Sequence, residues 1–266
     1  MKNYSAVLLI STYNWPEALA LVLESVLKQR LMPDAVVIAD DGSAKATAQL
    51  IAAYKPRFGV PLHHIWHEDK GFRKAMILNK AIAASDADYI IQIDGDCILH
   101  PRFIADHLSF AKKGLYLYGT RVRVKQKSVP GVLKQQRLRF HVFSGAIKKR
   151  PRSLRIPLLS AWFGVRDAIS PRFRGCNTSF WRSDIIKING YNEDLEGWGR
   201  EDSELMIRLH HLGVKARRLK FKAIVYHLDH PESSKANFDK NDAIQQASLF
   251  QKRIAAKNGI DKYLGT

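Results

Sequence analysis

Short apolar runs of strand length alternate with helix-like patterns through the first hundred residues. Strands are predicted at 6–11, 35–39, 62–66 and 89–93, and helices are predicted behind an Asn14 cap, from near Ser43 and over 72–84. This alternation indicates an α/β fold with a mainly parallel, Rossmann-like sheet flanked by helices. Ligands of such sheets gather at the carboxyl ends of the strands, so the polar residues there are the first candidates for chemistry.

The alternation becomes irregular after residue 101, and 125–174 shows no clear period. The remaining predictions are helices at 103–108, 201–213 and 239–266 and strands at 115–124, 177–181, 214–221 and 223–228. With 266 residues the chain can bury one large core. We therefore predict one continuous domain with three parts: an amino-terminal half (1–120), a basic apolar excursion (121–174), and a carboxyl-terminal half ending in a helix (175–266).

The charge of the chain is strongly basic. There are 43 Lys and Arg against 25 Asp and Glu, a formal net charge of +18, which favours nucleic acid, anionic lipid or phosphorylated substrates as partners. Every charged residue in 121–166 is basic, and apolar residues lie between them. This segment is predicted to contact either an anionic membrane surface or the acceptor.

Cysteine usage and hydropathy bear on the compartment. Cys97 and Cys176 are far apart and form no CxxC pattern, so neither a disulfide framework nor a zinc site is predicted. No apolar run approaches twenty residues. We therefore expect a cytoplasmic protein, peripheral on the inner face of the cytoplasmic membrane if the basic segment binds lipid.

Two carboxylates end the fourth predicted strand, in Asp94-Gly95-Asp96. Oxygen ligands at such an edge suit Mg²⁺ or Mn²⁺, whose remaining ligands are phosphate oxygens and water. Gly95 would let a ligand approach closely. An acidic turn explains this tripeptide equally well when it is taken alone.

Polar residues also follow the other three predicted strands: Thr12, Tyr13, Asn14, Asp40, Asp41, Lys70 and Arg73. Several polar strand ends at one edge predict a nucleotide pocket, in which carboxylates accept from ribose or base and cations face a diphosphate. The alternatives are a helix capped by Ser43 with an acidic first turn, and ordinary solvated cations at Lys70 and Arg73.

At these motifs the sequence resembles the family 2 glycosyltransferases of the GT-A fold. The resemblance runs through STYN, ADDGS, EDKGFRKAMILNKAI and IQIDGD, in that order. It implies that Asp94 contacts the nucleoside and that Asp96 binds a divalent cation, Mn²⁺ or Mg²⁺. It also implies that Thr12, Tyr13 and Asp41 line the pocket for base and ribose.

The carboxyl half extends the resemblance. RGCNTSFWR and NGYNEDLEGWGREDSEL are similar to the acceptor region of bacterial chondroitin polymerases and animal β-1,4-galactosyltransferases. This similarity implies that Gly197 and Trp198 border the acceptor sugar, that Glu201 and Asp202 lie beside the reaction, and that His227 completes the metal site. Arg200 and Ser203 depart from the pattern, which puts the choice of acceptor in doubt.

These residue types suit sugar transfer from a UDP-sugar to a glycan or lipid-linked acceptor. A metal and Arg73 would stabilise charge on the leaving diphosphate, and Asp202 would deprotonate the attacking hydroxyl as general base. One base without a separate nucleophile means a single displacement, so an α-linked donor gives a β-linked product. The resemblance further implies a hexose or N-acetylhexosamine donor and a role in surface polysaccharide or lipopolysaccharide synthesis.

Two other functions compete with this one: a basic nucleic-acid-binding protein without catalysis, and a sugar nucleotidyltransferase. The first would not need DGD or EGWGRED, so no nucleic acid partner is expected, and the second usually carries a glycine-rich phosphate loop that STYNWPEA lacks. The structural alternatives are an acidic helix N-terminus for Glu201 and Asp202 and a core position for Trp198. No role is predicted for Cys97 or for the histidines of the third strand, His63, His64 and His67.

Overall fold

The computed structural model describes residues 3–160, 162–170, 173–231 and 234–265. The strands are β1 (Ala6–Thr12), β2 (Ala35–Asp40), β3 (Leu62–Trp66), β4 (Tyr89–Asp94), β5 (Cys97–Leu99), β6 (Leu115–Tyr118), β7 (Thr120–Val124), β8 (Val165–Arg166), β9 (Asn177–Trp181), β10 (Lys215–Arg218) and β11 (Ile224–Leu228). The helices are α1 (Pro16–Leu27), α2 (Lys45–Tyr54), α3 (Lys74–Ala83), α4 (Phe103–Leu108), α5 (Val129–Lys134), α6 (Pro157–Ser160), α7 (Arg182–Lys187), α8 (Glu201–His211) and α9 (Phe238–Phe250).

Eight strands form one sheet in the order β3-β2-β1-β4-β9-β6-β10-β8. The pairs β3–β2, β2–β1, β1–β4 and β6–β10 are parallel, whereas β9 is antiparallel to both β4 and β6. Because β9 opposes both neighbours, β6 and β10 run in the same direction as β4. The carboxyl ends of β1, β2, β4, β6 and β10 therefore share one edge with the first residue of β9. The predicted α/β class, with a mainly parallel sheet flanked by helices, is confirmed.

Apolar side chains cover both faces of this sheet. Leu8 and Ile10 pack into a cluster with residues of α1 and α2, while Val7 and Leu9 pack into a second cluster with residues of α3, α7 and α8. Alternate residues of one strand thus face opposite helix layers. This burial explains why the strand is a continuous apolar run rather than an alternating one.

A second sheet, in the order β5-β11-β7, carries a third apolar cluster. Val129, Val132, Phe140 and Ile147 of the basic excursion are buried in it against β7 and β11. Residues 129–147 therefore contribute to a core, although the sequence shows no period there. Other large apolar side chains of the excursion are exposed, among them Phe143 and Leu158.

A buried ion pair lies within α8 and is linked to α9 by a hydrogen bond. Arg208 binds Glu204 one turn earlier through Nε and Nη2, at 2.8–2.9 Å, and both side chains are fully buried. Ser248 of α9 donates to the same carboxylate at 2.8 Å. Removing one partner of such a pair costs about 3–5 kcal/mol, because the other charge stays buried. The pair fixes α8, whose first residues are Glu201 and Asp202.

Three predicted elements differ from the structure. Asn14 does not cap α1, which begins at Pro16 behind Trp15; instead its Oδ1 accepts from the backbone N–H of Ala44 at 2.8 Å. The strand predicted at 115–124 divides at Gly119 into strands of different sheets. A Cβ there would lie 2.3 Å from the carbonyl oxygen of Ala223, so the turn excludes a side chain.

The predicted carboxyl-terminal helix is also shorter than expected. Helix α9 ends at Phe250, and one 3₁₀ turn follows at Ile260–Tyr263. Gly259 packs so closely on Asn189 that a Cβ would lie 1.9 Å from the Asn189 carbonyl oxygen. This close packing needs the irregular backbone found there. The division at residues 120 and 174 remains a prediction, and β9 inserts into the sheet of the first part.

Candidate active site

The sheet places the predicted strand ends side by side. Thr12 at the end of β1 lies opposite Asp40 at the end of β2, and Ser11 lies opposite Asp94 at the end of β4. The Ser11 hydroxyl donates to Asp94 Oδ1 at 2.8 Å. The residues predicted from separate motifs therefore share one edge, as expected for parallel strands.

Two histidines of β3 and its following loop hold the acidic pair at the end of β2. His64 Nε2 lies 2.9 Å from Asp40 Oδ2, and His67 Nε2 lies 2.7 Å from Asp41 Oδ1. The backbone N–H of Arg73 donates to the other oxygen of Asp41 at 2.9 Å. Burial raises the pKa of Asp41 and lowers that of His67.

These contacts give a role to two histidines for which the sequence predicts none. His64 and His67 are the partners of Asp40 and Asp41, the carboxylates predicted to bind the nucleotide. Asp40 is fully buried, and its oxygens already bind His64 and the backbone N–H of Ser43, so its burial argues against direct nucleotide contact. The register of β2 and β3 makes Asp40 a diagonal neighbour of His64, a signal that only the pairing reveals.

The other predicted nucleotide residues lie at the rim. Tyr13 is half exposed and donates to Asp69 at 2.8 Å, while Lys70 is exposed and pairs with Glu68 at 3.1 Å. Arg73 donates through Nη2 to the Glu68 carbonyl, and its buried Nε has no hydrogen-bond partner among the described residues. Of the two predicted cations, Arg73 is thus better placed to bind a phosphate.

Gly95 is required by packing. Its N–H donates to the Ser11 carbonyl at 2.7 Å, and a Cβ would lie 2.9 Å from Thr12 Oγ1. It keeps β1 and the DGD turn in contact. Close approach of a ligand, the role expected from the sequence, stays a prediction.

Asp96 and His227 form a candidate metal site with Cys97. Their donor atoms lie within 4.8 Å of one another, and His227 Nε2 is 3.3 Å from Asp96 Oδ2. Burial raises the pKa of the Cys97 thiol well above its usual value. The carboxylate oxygen of Asp96 and the imidazole nitrogen of His227 are donors that fit Mn²⁺.

His230 is a further neighbour of this site. Its Nε2 lies 3.2 Å from Asp96 Oδ2, and its ring lies 5.5 Å from that of His227. The metal site predicted from the sequence does not include this histidine. The sequence signal for it is a pair of histidines three residues apart in His227-Leu228-Asp229-His230.

The acceptor motif folds into a left-handed turn before α8. Gly197 and Gly199 have φ of +75° and +103°, so both positions favour glycine. Trp198 between them stacks on Phe238 of α9, with ring centroids 6.2 Å apart and planes 25° apart. The backbone N–H of Gly197 donates to the Phe72 carbonyl at 3.0 Å. The sequence missed Phe238, which lies forty residues downstream of its partner.

Helix α8 brings its first two carboxylates to the end of β4. Lys74 Nζ binds Asp94 Oδ1 at 2.7 Å. Burial alone would lower the pKa of Lys74, but the charges of Asp94, Glu201 and Asp202 hold it well above its usual value. Burial and the nearby charge of Asp202 raise the pKa of Glu201 to about 7. Lys74 was not predicted, although it stands inside the quoted GFRKAM motif.

Asp202 is held from the other side by Gly175. The Gly175 N–H donates to Asp202 Oδ2 at 2.6 Å, and a Cβ on Gly175 would lie 2.9 Å from Asp202 Cβ. Since Gly175 lies two residues before β9, Asp202 is positioned at the sheet edge next to β4. The structure thus brings Asp94 of the DGD motif and both carboxylates of the GRED motif together around Lys74.

Two family models match the chain. Glycosyl transferase family 2 matches residues 7–170, and a model described as the N-terminal domain of galactosyltransferase matches residues 164–231. The chain belongs to glycosyl transferase family 2. The two resemblances found in its motifs are therefore confirmed. This membership favours a transferase over the nucleic-acid-binding and nucleotidyltransferase alternatives.

Curated relatives of this family 2 glycosyltransferase are distant in sequence. Validoxylamine A glucosyltransferase of Streptomyces hygroscopicus subsp. limoneus is 26% identical over 217 residues, covering 77% of this chain and 48% of the relative. Chondroitin synthase of Escherichia coli is 22% identical over 240 residues, covering 84% of this chain and 34% of the relative. The chain thus spans about half or less of the length of these relatives.

Solved structures share the fold. S. aureus TarS 1–349 aligns with a TM-score of 0.61 at 13% identity, covering 97% of this chain and 68% of that one. The mannosyltransferase PcManGT from Pyrobaculum calidifontis, in complex with GDP-Man and Mn²⁺, aligns with a TM-score of 0.62 at 17% identity, covering 96% and 65%. The GT-A fold expected from the motifs is confirmed.

The raised pKa of Glu201 predicts a pH-dependent stability. A carboxyl whose pKa rises from 4.5 to about 7 on folding binds more protons in the native state. The free energy of unfolding should therefore fall as pH rises from 4.5 to 7, by about 3 kcal/mol for this group. In urea unfolding across this pH range, the free energy of unfolding of Glu201→Gln should fall less than that of the parent protein, by that amount. Identical pH profiles for the two proteins would contradict the assignment.

Proposed function

We propose that this protein is an inverting glycosyltransferase that moves a hexose or N-acetylhexosamine from a UDP-sugar to a glycan or lipid-linked acceptor. The observation that carries the proposal is the meeting of Asp94, at the end of a nucleotide-side strand, with Asp202, at the start of α8, around Lys74. Related structures support a nucleotide-sugar donor: TarS is in complex with UDP-GlcNAc, and PcManGT with GDP-Man and Mn²⁺.

The donor would lie along the edge formed by β1, β2 and β4. Thr12 and Tyr13 border base and ribose there, and Asp41 is held rigidly by His67 and by the backbone of Arg73. Such fixed groups bind a ligand without reorganising. Asn14, Asp40 and Lys70 complete the predicted set. Asp40 would support the pocket indirectly, through its contacts with His64 and the backbone of Ser43.

Asp96 and His227 would hold a divalent cation that neutralises charge on the departing diphosphate. Arg73 is the second source of positive charge, since its buried Nε has no other partner among the described residues. Lys74 keeps Asp94 in place at the same edge.

Asp202 would act as the general base for the acceptor hydroxyl. The Gly175 N–H fixes one oxygen of its carboxylate and leaves the other to accept a proton. Glu201 has a buried oxygen without a hydrogen-bond partner among the described residues, and its raised pKa leaves it partly protonated near neutral pH. Glu201 is therefore suited to hold the acceptor hydroxyl while Asp202 removes its proton.

The product would carry a β-linkage. The two carboxylates stand on the acceptor side, and the hydroxyl attacks the anomeric carbon opposite the leaving diphosphate in one step. Trp198, stacked on Phe238 beside Gly197, offers an apolar face to the acceptor sugar. Products of such a reaction would be surface polysaccharide or lipopolysaccharide.

The test of this function is UDP release from a panel of UDP-sugars with Mn²⁺. At least one donor should release UDP, and Asp96→Ala should abolish the release. Asp202→Asn should bind UDP with an affinity within about threefold of the parent protein. It should release UDP from the UDP-sugar ~10²–10⁴ times more slowly. Asp239→Asn, at an exposed position in the first turn of α9, is the matched control.

Three results would contradict the proposal. The function fails if no donor releases UDP. The metal assignment fails if Asp96→Ala has no effect, and the base assignment fails if Asp202→Asn releases UDP at the full rate.

We also propose that the basic excursion contacts an anionic membrane surface. Phe143, Leu158 and Trp162 are 82–84% exposed within a segment whose charged residues are all basic. Such a mixture suits the headgroup region, where each basic residue contributes about 1 kcal/mol. Among the described residues no helix is both long and apolar enough to cross a bilayer.

Vesicle sedimentation checks this contact. The protein should bind vesicles containing phosphatidylserine, and the triple change Phe143→Ser, Leu158→Ser and Trp162→Ser should weaken binding at least about tenfold. Phe250→Ser is the matched control, because Phe250 is 79% exposed but lies at the end of α9. Equal losses in the triple variant and the control, or no binding by the parent protein, would refute the contact.

A further inference from the structure

Four arginine side chains converge on a pocket beside the candidate active site. The pocket has a volume of about 160 Å³ and is lined by Arg121, Arg152, Arg174 and Arg218 together with uncharged residues such as Asn177. None of the described residues that line it is acidic. Such a pocket attracts an anion.

The pocket opens at the sheet edge that carries the catalytic carboxylates. Arg218 ends β10, and Asn177 begins β9, which separates β4 from β6. The pocket therefore lies about two strand spacings, roughly 10 Å, from Asp94. Arg174 directly precedes Gly175, the residue whose N–H binds Asp202. The pocket lies on the Asp202 side of β4, because the residues predicted to bind base and ribose follow β1 and β2 on the other side of that strand.

Two carboxylates in this part of the fold, Asp106 and Asp229, belong to other ion pairs. Asp229 is held by Arg123 and Lys148, and Asp106 by Arg155, so these acids pair with basic residues outside the pocket. Arg121 and Arg152 form no ion pair within the described part of the chain. Planar guanidinium groups match the oxygens of a phosphate, with two parallel hydrogen bonds from one arginine.

A larger cavity continues from this pocket. It has a volume of about 350 Å³, and Tyr118 and Arg218 line both spaces. Arg166, Lys220 and Phe163 line it further out. The two spaces together offer room for a charged group near Asp202 and for more of the same ligand beyond it.

We propose that the arginine pocket binds a phosphate group carried by the acceptor. That the phosphate belongs to the acceptor rests on the proposed function, whereas the binding of phosphate in this pocket does not. The pocket would fix the acceptor hydroxyl relative to Asp202, so the substrate class is a phosphorylated sugar or a lipid-linked phosphate rather than a neutral glycan. This requirement would add acceptor selectivity to a site whose remaining contact is the stacked face of Trp198.

The probe is inorganic phosphate, titrated calorimetrically into protein saturated with UDP and Mg²⁺ so that the donor site is filled. One phosphate should bind per chain, more tightly than acetate at equal ionic strength. The double change Arg152→Ala and Arg218→Ala should weaken binding at least about tenfold. Arg139→Ala, at an exposed arginine of the same basic segment outside the pocket, should not weaken it and controls for general charge.

The proposal is overturned if phosphate does not bind, if acetate binds equally well, or if the control variant loses as much affinity as the double variant. Glucose 6-phosphate and vesicles containing phosphatidate separate the two sources of phosphate, since the true class should compete with inorganic phosphate. If neither competes, the pocket does not serve an acceptor. UDP release by the parent protein is a separate readout, so failure of the glycosyltransferase assignment would leave the phosphate result intact.

Discussion

The ion pair between Lys74 and Asp94 is the contact on which the site depends. It places a cation at the carboxyl end of β4, where Asp94, Glu201 and Asp202 would otherwise repel one another. A lysine among three carboxylates keeps the cluster compact, and truncating it would leave buried like charges. Glu201 and Asp202 at the start of α8 can therefore lie close to Asp94 at the end of β4, as the proposed reaction requires.

Backbone topology provides the second half of this arrangement. Because β9 runs against β4 and β6, its first residues arrive at the edge where the parallel strands end. Gly175 just before β9 leaves room for Asp202, and the buried pair of Glu204 and Arg208 anchors the same helix one turn later. The insertion of β9 thus brings together the strands proposed to bind the donor, the proposed base Asp202 and the arginine pocket.

Much of this fold could be predicted from the sequence, because buried parallel strands appear as continuous apolar runs and polar residues follow them. The DGD motif is predicted for the same reason, whereas the GRED motif is predicted from its similarity to the acceptor region of other glycosyltransferases. Contacts that depend on strand register or on distant partners could not be found: His64 with Asp40, and Trp198 with Phe238. The core formed by residues 129–147 also escaped prediction, since its partners lie on β11, far along the chain.

The most direct test of a shared donor and acceptor site is a crystal structure with UDP and Mn²⁺, with anomalous data collected at the manganese edge. The account predicts a manganese peak bound by Asp96 and His227, with the β-phosphate of UDP beside it and facing the carboxylate of Asp202. A peak elsewhere, or a UDP whose phosphates point away from α8, would contradict it.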